Sequence, residues 1–96
     1  MPALSEFSNV TSTAINVVIK KGYRVWFMKE TETYCAEKDG WDFMADSPCS
    51  LLGIISIYEF KNPSRYEEYW WLEEGISESQ LSSAPPRYTS VVDRQP

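Results

Sequence analysis

The chain has no histidine among its 96 residues. That removes the side chain that most often acts as general acid or base near neutral pH. It also removes every Ser-His and Cys-His nucleophile pair. Cysteine is scarce, with Cys35 and Cys49 the only two. Two thiols without a histidine are too few for a Cys/His zinc site, so no metal is expected. Both are expected to be free, packed thiols in a reducing compartment. Glycine is limited to 4 residues, and there is no Gly-rich phosphate loop and no metal-binding loop. No apolar run approaches the roughly 18 residues of a membrane span. The opening Met-Pro-Ala-Leu-Ser-Glu-Phe has neither the basic nor the apolar block of a signal peptide. These absences predict a cytoplasmic protein that has no membrane contact, no cofactor and no enzymatic activity.

Positive charge is also in short supply. Lys and Arg number 9 against 14 Asp and Glu, a net charge of −5. Phosphate binding needs a basic face, so nucleic acid is disfavoured as a partner. A basic protein partner is favoured instead. The plain alternative is that acids keep a small protein soluble. All the acids but Glu6 and Asp93 fall in two groups, Glu30 to Asp46 and Glu59 to Glu78.

What is present is apolar bulk. Aromatics make up 15 % of the chain, enough to exclude wholesale disorder and to fill the core of one domain. The densest apolar stretch is 41–60, and it contains a helix start. Ser47 can accept a hydrogen bond from a first-turn N–H, and Pro48 suits the first helical position. Leu51, Leu52, Ile54, Ile55 and Tyr58 then form one wide stripe. Ser50, Gly53 and Ser56 line another face, where a neighbouring element could approach closely. Asn62-Pro63 ends the helix, which is read as 47–60.

Upstream, residues 3–22 have helical spacing through Leu4, Phe7, Val10, Ala14, Val17 and Val18. Lys20-Lys21-Gly22 is a suitable ending. The β-branched content of 10–19 leaves a strand as the competing reading. Residues 23–29 form the clearest strand, with Tyr23, Val25 and Phe27 on one face. Thr33 to Glu37 is a second strand. Lys38-Asp39-Gly40 is a hairpin signal. Trp41 to Ala45 is a third strand, with Trp41, Phe43 and Ala45 inward. Downstream, Ser64-x-x-Glu67 matches a capping box and predicts a helix over 66–74, stopped by Gly75. Residues 76–96 have the composition of a linker, with Tyr88 to Val92 as a docking segment or short strand.

The expected fold is therefore α+β: an N-terminal helix, a three-stranded antiparallel meander, two C-terminal helices and a flexible tail. Residues 1–75 make one domain and 76–96 the tail. The strand-strand-strand-helix part resembles small bacterial antitoxins of the HicB type in outline alone. The motif residues of those antitoxins are absent, no residue role is carried over, and no family is assigned.

Chemistry-bearing candidates are few. Cys49 lies in a first helical turn, where a thiolate is stabilised, but packing explains a lone thiol more simply. Asp39 with Asp42, or Asp42 with Asp46, are paired carboxylates that also fit a turn and a helix start. Asn9-Val10-Thr11 fits the glycosylation pattern, which has no meaning without export. The most informative stretch is Tyr66, Glu67, Glu68, Tyr69, Trp70 and Trp71, with Glu74 close by. So many rings cannot all face one core, and Trp and Tyr are favoured interface anchors. Filling the core of a small domain is the competing use.

These features point to a non-enzymatic, acidic protein-binding module: an inhibitor, immunity protein or antitoxin that covers a basic surface. One alternative is a small-molecule pocket between sheet and helix, lined by Trp26, Trp41 and Tyr58. Another is an obligate homodimer with Trp70 and Trp71 in its core.

Overall fold

The computed structural model describes residues 2–94; Met1, Gln95 and Pro96 lie outside the described residues. Five main elements follow in order: α1 (Thr11–Lys20), β1 (Arg24–Met28), β2 (Thr33–Lys38), β3 (Trp41–Ala45) and α2 (Pro48–Lys61). The strands form an antiparallel meander in the order β1-β2-β3, so β1 and β3 are both edges. Both helices pack on one face of this sheet and on each other. The fold is α+β, as expected.

Local signals account for most of this. Asp39 and Gly40 both take positive φ, 53° and 86°, as the two central residues of a type I′ turn. The turn fixes the register that pairs Lys38 with Trp41 and Ala36 with Phe43. Glu37 braces the hairpin. Its carboxylate accepts from the Gly40 N–H at 2.9 Å and from Arg24 Nε at 2.7 Å. Both interactions, the backbone N–H foremost, hold its carboxyl below the usual glutamate range. Ser47 caps α2, accepting from the Ser50 N–H at 3.1 Å. Asn62 closes it in the left-handed conformation at φ 47°.

The end of α1 is a Schellman motif. The Gly22 N–H donates to Ile19 and the Tyr23 N–H to Val18, with Gly22 at φ 98°. The motif delivers Tyr23 into the core beside Val18. That core also holds Ala36 and Phe43 from the sheet and Leu51 and Ile55 from α2. The part-buried Tyr23 hydroxyl donates to Glu59 Oε2 at 3.1 Å, and Lys21 Nζ donates to the other oxygen at 2.7 Å. Burial, then the glutamate, raises the tyrosine pKa far above normal. Lys21, ahead of Tyr23, holds Glu59 below its usual value.

Three expectations need correction. The N-terminal helix begins at Thr11, not residue 3. Residues 6–9 form a turn, with the Ser8 N–H on the Ser5 carbonyl and Asn9 at φ 55°. Ser and Asn compete locally with helix, and Asn tolerates this conformation. Leu4 and Phe7 consequently stay exposed. The helix expected over 66–74 is absent: residues 68–71 form a turn, with Tyr69 at φ 60°. The capping box does not form, and Glu67 pairs with Arg65 at 2.9 Å. Finally, the Ser50-Gly53-Ser56 face receives no neighbour. All three residues are exposed, and a methyl group at Gly53 would meet open space.

Candidate protein-binding surface

After Asn62 the chain continues as an irregular strap beside the C-terminal end of α2 and the start of β3. Two contacts hold it. Trp70 is half-buried and packs edge-on against Trp41 at 5.4 Å and Tyr58 at 6.0 Å. Lys61 Nζ, at the end of α2, donates to the Leu72 carbonyl and to Glu73, each at 2.8 Å. Docking of one indole on two core-edge rings is a tertiary gain that an isolated short helix could not match.

With Trp70 turned inward, the neighbouring rings face out. Tyr66 is 74 % exposed, Tyr69 58 % and Trp71 45 %. Tyr69 and Trp71 stack edge-on at 5.7 Å, and Trp71 also meets Trp70 at 6.0 Å. Glu67, Glu68 and Glu74 are exposed among them. Glu68 and Glu74 make no ion pair among the described residues. Of the segment Tyr66 to Trp71 with Glu74, Trp70 attaches to the body and the other residues are exposed, with Tyr69, Trp70 and Trp71 in ring contact.

The strap also builds a groove of about 340 Å³ against the edge of β3. It is lined by Trp70 and Trp71 of the strap, Ile54 and Ile57 of α2, and Asp42, Phe43 and Met44 of β3. Sequence reasoning did not select Met44 or Ile57. Met44 alternates outward on its strand, and Ile57 lies off the main helical stripe. Both are exposed, and exposure of a large apolar side chain is the signal that marks them.

Other candidates come apart. Trp26 pairs across the sheet with Cys35, on the face away from the helices. Trp41 and Tyr58 are on the helix face and stack at 5.2 Å. The three rings therefore do not surround one space. Cys35 is buried and Cys49 half-buried, both as free thiols. Asp39, Asp42 and Asp46 are exposed. Tyr88, Val91 and Val92 are exposed too, the last two in a short 3₁₀ turn, Val91–Arg94. No helix among the described residues is long and apolar enough to cross a membrane. No family model, curated protein or solved structure matches the chain.

Proposed function

We propose that the protein is a non-enzymatic, acidic protein-binding module that uses the strap to cover a basic surface on its partner. An inhibitor, immunity or antitoxin role would suit such a module. One observation carries the reading: Trp70 anchors the strap, while Tyr66, Tyr69 and Trp71 stand outside the core in the same segment as Glu68, which makes no ion pair among the described residues. Exposed aromatics of this kind are common binding anchors. The surrounding acids speed encounter with a basic partner and reject acidic ones.

The test is capture from an extract of the source cell, at rising ionic strength, with wild-type and Trp71→Ala protein as bait. A partner held by the wild type, released by salt and not held by Trp71→Ala is expected. Equal capture by both proteins, or none by either, defeats the proposal.

A further inference from the structure

We propose that the edge of β3 accepts an extended segment of the partner as a fourth, antiparallel strand, bearing an apolar–large apolar–basic triplet. This rests on the protein-binding reading and specifies how the partner is held. The backbone provides the first argument. In a two-residue hairpin the flanking pair exchanges both hydrogen bonds, so Trp41, Phe43 and Ala45 point their backbone groups at β2. Those of Asp42 and Met44 point away from it. They have no other hydrogen bond among the described residues. Of the devices that block an edge, β3 lacks proline and lysine.

The groove provides the second argument. A residue placed opposite Phe43 projects toward the helix face, where Ile54, Ile57, Trp70 and Trp71 leave an apolar space. It must be large and apolar. Its two neighbours project to the opposite face, beside Asp42 and Met44. Asp42 is exposed and makes no ion pair among the described residues, which calls for Lys or Arg opposite it. Met44 calls for an apolar neighbour. Antiparallel addition places these in the order apolar, large apolar, basic from N to C. Charge also argues against a second copy as the occupant. Pairing β3 with itself would bring together two strands that contain Asp42 and no cation, each flanked by Asp39 and Asp46; Arg65 of the strap, which lines a pocket with Asp39 and Asp42, is paired with Glu67. The β1 edge has Arg24 within it and Lys29 beside it, and is the poorer host for a basic strand.

The probe is a displayed library of linear random peptides, selected on the full chain at low salt. Enrichment of the triplet is expected. Synthetic versions N-methylated at the residue opposite Asp42 or Met44 should bind about ten-fold more weakly or worse, as loss of one good hydrogen bond implies. Methylation at the intervening residue should not weaken binding, because that N–H points away from β3. Exchange of the Asp42 and Met44 amides should slow on binding, while that of Val25 and Phe27 stays unchanged. Asp42→Lys should shift the selected triplet toward an acidic third residue. Peptides that bind in a Trp71-dependent way but leave the Asp42 and Met44 amides unprotected overturn strand addition and leave the protein-binding reading intact. A library that enriches nothing overturns it as well. So does protection of those amides without peptide in a self-associating sample, which would mean that a second copy holds the edge.

Discussion

At the scale of single residues, Tyr23 carries the most consequence. Its hydroxyl is part-buried against a carboxylate, so the folded state favours the neutral phenol. A pKa raised in the folded state gives stability that is present below the ordinary value of 10.0 and lost as pH rises beyond it. Glu37 and Glu59 act at the other end. Their folded pKa values are depressed, so their contribution is present above the ordinary 4.5 and lost as pH falls through the lower folded values. Denaturant unfolding across pH should therefore show a plateau bounded by an acid limb and an alkaline limb. Tyr23→Phe should shrink the alkaline limb and cost about 1 kcal/mol on the plateau, the usual net worth of one hydrogen bond. An unchanged alkaline limb in that variant would place the titrating group elsewhere. Removing volume beneath this cluster should cost more. Leu51→Ala leaves a fully buried site empty and should lower stability by about 2–4 kcal/mol in the same measurement.

At the scale of elements, the sequence was readable where the deciding interaction is local. Asp39-Gly40 sets a turn, Ser47-Pro48 starts a helix, and Lys20-Lys21-Gly22 ends one. Each of these forms close to the residue expected. It was unreadable where a distant contact decides. The spacing of Tyr66, Tyr69 and Trp70 suits a helix, but Trp70 gains more by reaching Trp41 and Tyr58. Glu67 then turns to Arg65 instead of capping. The segment proposed for binding was visible as composition, since so many rings among acids stand out. The β3 edge was not visible, because only pairing reveals which strand lies outermost. The misread small-residue face of α2 yields its own prediction. With open space at Gly53, Gly53→Ala should stabilise the protein by about 0.5–1 kcal/mol, through helix propensity and a less flexible unfolded chain. A lower unfolding midpoint for this variant would mean that something occupies that face.

At the scale of the whole molecule, Trp70 joins the strap to the body. Trp70→Ala should loosen residues 62–75 and expose Arg65 to trypsin sooner, as seen by limited digestion. It should also cost roughly 2 kcal/mol, below the range for a core indole because this ring is half-exposed. Equal digestion rates would show that Lys61 alone holds the strap. We propose further that residues 76–96 form a tail outside the 1–75 domain, since Ile76 to Thr89 are exposed throughout. Truncation after Gly75 should leave the unfolding midpoint essentially unchanged. The rings of Phe43, Tyr58, Trp41, Trp70, Trp71 and Tyr69 form a relay from interior to surface, each 5.2–6.0 Å from the next. Ultraviolet light absorbed by the inner phenol can pass along that relay to the outer indoles. Their emission colour then reports, without any label, whether water or another molecule sits against them.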